Sequence, residues 1–326
     1  MKTRKSILCV ILAVILAFTL ALTFAACPEE DDPGPAAWIA VENSTFKTGS
    51  SDEINCVAYW NNMFVAAGDD GQMAYSSNGA SWTAVADSPF STSSTGDIHA
   101  IAYDNNRFVA VGNNGKIAYS PDGINWTTVE DSTFGSTNIH GIAYGNGSFV
   151  AVGDSGKIAY SSDVASWTAV SNSIFGSSHV YEIAFGNNQF VAVSFNGKIA
   201  YSSNGASWTA VSTSPFGTDN VIGVFWGGNT WVAVGTSGKI AYSADGINWK
   251  AVSNSTFGTT QIEAVTYGGG VFVAGGGGGK MATSSDGASW TAVQSSTFTG
   301  SIKGICYGNG RFVAGGGGGK MAYADW

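Results

Sequence analysis

Residues 139–170 read IHGIAYGNGSFVAVGDSGKIAYSSDVASWTAV, and this stretch decides the fold of most of the chain. It holds four short runs rich in β-branched and aromatic residues, separated by clusters of Gly, Asn, Asp and Ser. Such a pattern predicts four short antiparallel strands joined by tight hairpins. No stretch after residue 30 has the hydrophobic period of a helix, so the fold class is expected to be all-β.

The same unit recurs along the chain, and its tryptophan marks the period. Successive tryptophans are separated by 44, 44, 41, 41, 41 and 41 residues, and they are Trp38, Trp82, Trp126, Trp167, Trp208, Trp249 and Trp290. A four-stranded unit with a period in the forties is typical of a β-propeller blade. A lone blade would expose two apolar faces, whereas blades stacked in a ring bury both.

The number of units predicts how the ring closes. Six complete units begin at Ile54, Ile98, Ile139, Val180, Val221 and Ile262, and a seventh begins at Ile302 but ends after its third strand. The segment Trp38–Val41, at the other end of the chain, would supply the missing fourth strand. We therefore expect residues 36–326 to form a seven-bladed β-propeller of four-stranded antiparallel blades, with the N-terminal strand completing the last blade.

The N-terminal segment predicts export. Lys2, Arg4 and Lys5 precede an uncharged apolar run over residues 7–24, which is followed by small residues, as in a secretory signal peptide. The tripeptide Ala-Ala-Cys27 resembles the lipobox of bacterial lipoproteins, which implies a signal peptide over residues 1–26 and lipidation of Cys27. Residues 27–35 would then be a lipidated, acidic and Pro-rich tether to the membrane. An uncleaved anchor is the alternative, and both place the propeller on the bacterial cell envelope, on its periplasmic or surface side.

The turn before each tryptophan carries the most specific motif. SPDGINW at residues 120–126, SADGINW at 243–249 and SSDGASW at 284–290 resemble the Asp box of bacterial-neuraminidase-type (BNR) repeats. In such a turn Asp or Asn accepts backbone N–H bonds, Gly takes the left-handed conformation, and Trp packs between sheets. In that sialidase-like superfamily the box is structural, so the resemblance supports the fold and says little about activity.

Composition argues against two classes of function. Sialidases, the best-known enzymes with this motif, hold a carboxylate with three arginines, whose bidentate contacts lysine does not replace. After the signal segment the chain has only Arg107 and Arg311, so no such triad can form. The net charge of −9 disfavours a nucleic-acid partner, because an acidic surface repels phosphates.

Positions that differ between the repeats are the candidates for function. The second residue of the first strand is the most diverse polar position, and in a propeller it lies at the mouth of the central channel. These residues are Asn55, His99, His140, Tyr181, Ile222, Glu263 and Lys303. All except Ile222 are candidate ligand-binding residues, although solvated rim residues without a function would show the same diversity.

A metal site is considered at the three histidines, which fall in consecutive blades. His99, His140 and His179 would hold a metal only if their nitrogens converged to bond lengths of about 2.1 Å. Neighbouring inner strands are expected to lie too far apart for this, so neither a metal nor a cofactor is predicted.

Positions that repeat in nearly every blade are interpreted as structural. A lysine opens the third strand at Lys116, Lys157, Lys198, Lys239, Lys280 and Lys320. A phenylalanine follows the fourth strand at Phe46, Phe90, Phe134, Phe175, Phe216, Phe257 and Phe298. The lysines are expected to solvate strand ends and the phenylalanines to anchor packing. Cys56 and Cys306, in the first strands of blades one and seven, form either a disulfide across the seam or two buried thiols.

The leading functional hypothesis is a non-enzymatic, envelope-anchored binding or assembly platform. Its ligand, an envelope protein or a glycan, would bind at the channel mouth of a monomeric propeller. The alternative is a carbohydrate-active hydrolase or lyase at the same mouth, with an acid–base pair drawn from His99, His140, Glu182 or Glu263. Carboxylates are scarce in the ring, so no catalytic residue is assigned and an enzyme is disfavoured.

Overall fold

The computed structural model describes residues 37–49, 52–90, 95–104, 106–171 and 173–326. The predicted signal peptide, the lipidated Cys27 and the tether lie outside the described residues. Pro35–Trp326 form one compact unit. Within the described part of the chain, no helix is both long enough and apolar enough to cross a bilayer.

Seven four-stranded antiparallel sheets form the ring, so the all-β, seven-bladed prediction is confirmed. In blades one to six the strands follow chain order, and the first strands of neighbouring blades pack against one another around the axis. The strands are β1 Ile39–Ala40; β2 Ile54–Trp60, β3 Met63–Gly68, β4 Met73–Ser76, β5 Thr83–Ala84; β6 Ile98–Asp104, β7 Arg107–Gly112, β8 Ile117–Ser120, β9 Thr127–Thr128; β10 Ile139–Gly145, β11 Ser148–Gly153, β12 Ile158–Ser161, β13 Thr168–Ala169; β14 Val180–Gly186, β15 Gln189–Ser194, β16 Ile199–Ser202, β17 Thr209–Ala210; β18 Val221–Gly227, β19 Thr230–Gly235, β20 Ile240–Ser243, β21 Lys250–Ala251; β22 Ile262–Gly268, β23 Val271–Gly276, β24 Met281–Ser284, β25 Thr291–Ala292; and β26 Ile302–Gly308, β27 Arg311–Gly316, β28 Met321–Asp325.

Short 3-10 helices connect the second and third strands in six blades. They span Asp69–Gly71, Asn113–Gly115, Asp154–Gly156, Phe195–Gly197, Thr236–Gly238 and Gly277–Gly279. The first residue of each donates its N–H to the carbonyl just before the first strand of the same blade, as Asp154 does to Asn138 at 3.0 Å. This bond fixes the turn beside the start of the inner strand.

The ring closes through the N-terminal strand, as the sequence predicts. β1 pairs antiparallel with β28, with Ile39 opposite Tyr323 and Ala40 opposite Ala322. Blade seven therefore has the order β1-β28-β27-β26, and β26 packs against β2 of blade one. Trp38 is buried in this seam, and the Ser44 hydroxyl donates to the Gly319 carbonyl at 2.6 Å.

The turn before each tryptophan has the geometry that its residues predict. In blade five the Asp245 carboxylate accepts the N–H groups of Ile247 and Asn248 at 2.9 and 2.7 Å, and the Trp249 indole donates to the Gly246 carbonyl at 2.9 Å. Blade three keeps the turn although Val164 replaces glycine, because Val164 takes the same left-handed conformation at φ 64°. These turns are structural within each blade.

The glycine that ends most first strands lets the next blade approach closely. A Cβ on Gly268 would lie 2.0 Å from the ring of Tyr307, and one on Gly145 would lie 2.0 Å from the ring of Phe185. Each of these glycines thus leaves the space in which an aromatic ring of the following blade packs against the strand backbone. Blade one has Trp60 here instead, and its indole stacks on Tyr103 with ring centroids 4.4 Å apart.

The repeated lysines and phenylalanines are structural, as interpreted, but the lysines act between blades. The ammonium groups of Lys157 and Lys239 donate to the carbonyls of Phe134 and Phe216 in the preceding blade, at 2.7 and 2.9 Å. The seven phenylalanines are buried in the core. Four of the six ammonium groups are bonded to backbone carbonyls in this way, which favours the structural interpretation of the lysines over an anion site.

Candidate functional site at the channel mouth

The candidate site is built on a β-bulge that recurs in every blade. The pairing between the first and second strands shifts at the second residue of the first strand, so that residue has no partner across the ladder. A bulge re-aims the side chain it carries. The bulged residues, called rim residues here, are Asn55, His99, His140, Tyr181, Ile222, Glu263 and Lys303, which is the ring selected from the sequence. All seven are half-buried.

In blades one to three the rim residue bonds to the first residue of the following 3-10 turn, called the turn residue. The Asn55 amide donates to the Asp69 carboxylate at 2.9 Å. His99 Nε2 lies 2.7 Å from the Asn113 side-chain oxygen, and His140 Nε2 lies 2.6 Å from Asp154 Oδ1. In the other blades the turn residue is Phe195, Thr236, Gly277 or Gly317, so this hydrogen-bonded arc is confined to three blades.

Charges continue the arc on the side of blades six and seven. Lys303 forms an ion pair with Glu53, and the Glu263 carboxyl is hydrogen-bonded to Ser301. Burial raises the pKa of Glu263, against the effects of Ser301 and Lys303, which lower it. Burial also raises the pKa of Asp69, and the neighbouring acids add to this effect. Lys303 therefore pairs with Glu53 beside Glu263 and Asp69, two acids whose pKa values are raised by burial.

The two rim histidines differ in their environment. Burial, followed by repulsion from His140, lowers the pKa of His99, so its ring is a neutral hydrogen-bonding group at pH 7. His140 shares the Asp154 carboxylate with His179, whose Nδ1 lies 2.5 Å from the same Oδ1. Burial alone would raise the pKa of Asp154, but the two histidine bonds outweigh it and the pKa is lowered. The three predicted histidines therefore do not converge: His99 bonds elsewhere, while Asp154 joins the other two.

Below the rim, the seven first strands enclose a cavity of ≈ 280 Å³. Asn55, His99, Glu263 and Lys303 line it, whereas His140 and Tyr181 do not. The structure thus brings four of the six predicted binding residues to the channel and leaves two on the outer part of the rim.

Glu182 is the one acid in the wall of this cavity besides Glu263. The third residue of the first strand is small in six blades: Cys56, Ala100, Gly141, Gly223, Ala264 and Gly304. In blade four it is Glu182, whose carboxyl fits because a Cβ on Gly141 would lie only 3.0 Å from its Oε1. Burial raises the pKa of Glu182 to about 8, against one hydrogen bond from the Ile183 N–H at 2.9 Å. Glu182 is therefore protonated at neutral pH and can donate a hydrogen bond into the channel.

The two cysteines near the seam are free thiols. Cys56 Sγ lies 3.7 Å from the Ala67 carbonyl, and burial raises the pKa of both thiols. Of the two alternatives left open by the sequence, the structure contains the pair of thiols.

Sequence reasoning missed the partners of the rim residues. Asp69, Asn113 and Asp154 each lie 14 residues after their rim residue. This constant separation was a usable signal, because a polar pair recurring at one offset in a repeat indicates a contact. The enclosure of Glu182 was not readable, since it depends on the small residues of neighbouring blades.

No protein-family profile and no curated protein sequence matches this chain. Solved structures with the same fold do. YCF48 bound to D1 peptide has a TM-score of 0.70 at 16% identity, over 90% of this chain and 96% of that one. Catalytically inactive virginiamycin B lyase from Staphylococcus aureus with quinupristin has a TM-score of 0.73 at 11% identity, over 89% and 99%. The GH74 enzyme of Niastella koreensis has a TM-score of 0.63 at 20% identity, over 84% of this chain and 43% of that one.

Proposed function

We propose that this protein is a binding platform of the bacterial envelope, held there by a lipid on Cys27, which takes a protein or glycan ligand at the rim face. One observation carries the proposal. The rim residues vary in chemistry, whereas the tryptophan, phenylalanine and buried strand positions of the repeat hardly vary, and they sit on bulges that aim them away from the ladder. Similar folds include a protein bound to a peptide, YCF48 with D1 peptide, which fits a binding role.

The chemistry of the rim suits a neutral, hydrogen-bonding ligand. Asn55, a neutral His99 and a protonated Glu182 offer donors and acceptors around the channel, and Lys303 is already paired with Glu53. A ligand with hydroxyl or amide groups can exchange hydrogen bonds with these side chains. A strongly anionic ligand would meet the acids of the same arc.

The experiment compares, on glycan and peptide arrays, variants altered at the two opposite ends of the first strands. The first strand of a blade is about 20 Å long, so its two ends lie at opposite mouths of the channel. The test variant is His99→Ala/His140→Ala/Glu263→Ala, and the control is Trp60→Ala, which removes an exposed aromatic from the far end of β2. We expect wild type and Trp60→Ala to bind the same array ligands and the triple variant to lose them. Loss in Trp60→Ala with retention in the triple variant would place the site on the wrong face.

A second candidate function at the same site is favoured by Glu182, because a protonated carboxyl can act as a general acid. The hydrolase or lyase alternative requires turnover of an array glycan, abolished by Glu182→Gln or by the triple variant. Two of the similar folds belong to enzymes, virginiamycin B lyase and the GH74 enzyme. Binding without product in mass spectra of the incubated glycans supports the platform; product supports the enzyme.

The membrane attachment has its own test. Cells expressing the wild-type chain are expected to incorporate labelled palmitate, and cells expressing Cys27→Ser are not. Continued labelling of Cys27→Ser would show that this cysteine is not the lipidated residue.

A further inference from the structure

Three positions meet at each boundary between neighbouring blades. They are the rim residue and the turn residue of one blade and the residue just before the first strand of the next blade, called the lead residue. The lead residues are Glu53, Asp97, Asn138, His179, Asn220, Gln261 and Ser301.

At several boundaries the lead residue has a structural task. Its side-chain oxygen accepts the N–H of the left-handed second residue in the preceding 3-10 turn. Asp97 accepts from Asp70 at 3.0 Å, and Asn138 accepts from Asn114 at 3.1 Å. At the boundary between blades three and four, His179 stands in this place and directs Nδ1 to Asp154 instead. The repeat's structural residue is thus replaced where the rim residue is also a histidine and the turn residue an aspartate.

We propose that His140, Asp154 and His179 bind a divalent transition-metal ion, Zn²⁺ or a close chemical relative. His140 Nε2 and His179 Nδ1 lie 2.6 and 2.5 Å from one carboxylate oxygen, and the three ligand atoms lie within 4.8 Å of one another. Tetrahedral metal–ligand bonds of about 2.1 Å place ligand atoms about 3.4 Å apart, so the Asp154 oxygen would move slightly less than about 1 Å away from each nitrogen to admit the ion. Two imidazoles and one carboxylate suit Zn²⁺, Co²⁺, Ni²⁺ or Cu²⁺ and not Mg²⁺ or Ca²⁺, which prefer oxygen ligands.

The backbone presets two of the three ligands. Two backbone hydrogen bonds hold Asp154. Its N–H donates to the Asn138 carbonyl at 3.0 Å, and its carbonyl accepts the Lys157 N–H at 3.2 Å. His140 sits on the bulge of β10. The side chains of both are 21% exposed, whereas that of His179 is 50% exposed. The ion would therefore be held from the protein side by His140 and Asp154, and from the solvent side by the more exposed His179.

The neighbouring boundary is a natural control. There the rim histidine is His99, the turn residue is Asn113 and the lead residue is Asn138. The ring centroids of His99 and His140 lie 5.1 Å apart, so the two imidazoles are neighbours on the rim and differ in the residues to which they bond. An amide and one imidazole do not make a transition-metal site, so His99 takes no part in the proposed one.

The test titrates Co²⁺ into the full chain, purified in detergent without a polyhistidine tag and freed of metal. We expect saturation at one equivalent with the intense visible bands of a four- or five-coordinate cobalt ion, and displacement by Zn²⁺. His179→Ala and Asp154→Asn are each expected to weaken binding by about 10-fold or more, whereas His99→Ala leaves it unchanged. The thermal unfolding midpoint of wild type should rise with the ion, and that of His179→Ala should not.

Several outcomes would overturn the site. They are no saturable binding by a wild type shown folded by its far-UV circular dichroism, undiminished binding by His140→Ala/His179→Ala, or an equal loss in His99→Ala. His179→Ala removes an exposed side chain and Asp154→Asn keeps the shape of the turn residue, so at least one single variant should fold. The inference does not depend on the proposed binding function: a wild-type chain that binds array ligands but does not bind Co²⁺ would refute the metal site alone.

Discussion

Replacing Glu182 with Gln tests whether the channel holds a protonated carboxyl. Gln is neutral and nearly the same shape, and its side-chain oxygen can still accept the Ile183 N–H that Glu182 accepts at 2.9 Å. The substitution therefore removes the titration of this position and little else. In the wild-type chain, Glu182 titrates differently in the two states between its ordinary pKa of 4.5 and its folded pKa of about 8.

The direction follows from proton linkage. In the unfolded chain Glu182 loses its proton near its ordinary pKa of 4.5, whereas in the folded chain it keeps the proton to about pH 8. The folded state thus binds more protons over this range, and the free energy of unfolding falls as pH rises through it. At 1.36 kcal/mol per pH unit the loss has an upper limit of about 5 kcal/mol. Because the carboxyl faces a channel rather than a solid core, we expect about 2–3 kcal/mol.

The assay is urea denaturation at several pH values from 4.5 to 8.5. The quantity of interest is the unfolding free energy of Glu182→Gln minus that of wild type, since titration of every other group cancels in this difference. It should rise by about 2–3 kcal/mol across the range. Glu130→Gln, at an exposed carboxyl, is the control and should show a flat difference. A flat difference for Glu182→Gln as well, or one that falls with pH, would show that Glu182 is not protonated in the folded chain.

Three further substitutions test the seam, the turns and the contact between blades. Trp38→Ala removes a side chain that is 5% exposed in the seam, so the unfolding free energy in urea should fall by about 3–5 kcal/mol; a fall below about 1 kcal/mol would contradict the closure. Asp245→Asn should lower stability at pH 7 by about 1–2 kcal/mol, because the amide keeps bonds like those that Asn204 accepts at 3.0 and 2.9 Å in the equivalent turn but loses the charge that strengthens them. Turn hydrogen bonds hold the pKa of Asp245 well below its ordinary value of 3.8, although burial opposes them. Stability is therefore lost as pH falls below about 4, and the Asn variant should lose less of it; equal acid sensitivity in circular dichroism would contradict this. Gly268→Ala places a Cβ 2.0 Å from the Tyr307 ring and should lower stability by about 1–3 kcal/mol; Gly268→Ala/Tyr307→Ala should lose less than the sum of the single losses.

The fold was readable because each blade is specified locally. Turn residues, short β-branched runs and a tryptophan at one period predict a four-stranded unit, and counting the units predicts the closure between Trp38–Val41 and the last strand. The structure confirms both, with Ile39 opposite Tyr323. Local patterns were sufficient because neighbouring blades pack against one another in nearly the same way around the ring, so the packing of one pair predicts that of the others.

The site was readable only in part. The rim residues were found because they vary within a repeat, but their partners were not, because a hydrogen bond such as His140 to Asp154 depends on the bulge that turns the side chain. The lysines were expected only to solvate strand ends, and this was incomplete for a similar reason. Lys157 donates to a carbonyl of the preceding blade, and the sequence of a single repeat does not reveal contacts between blades. The raised pKa of Glu182 depends on Gly141 in another blade.

The seam also governs when the molecule can be finished. Ser44 and Gly319, which bond across it, are 275 residues apart. Strand β1 is therefore synthesised long before β28, the strand with which it pairs. Until the final strand emerges, β1 has no partner and the arc stays open, with apolar blade faces uncovered at both ends. The entropic cost of joining such distant segments grows only slowly with their separation, so the short pairing of β1 with β28 is enough to close the ring once both strands are present. A chain truncated before residue 321 would lack β28, so β1 would stay unpaired and the blade faces at the seam would be open to proteases.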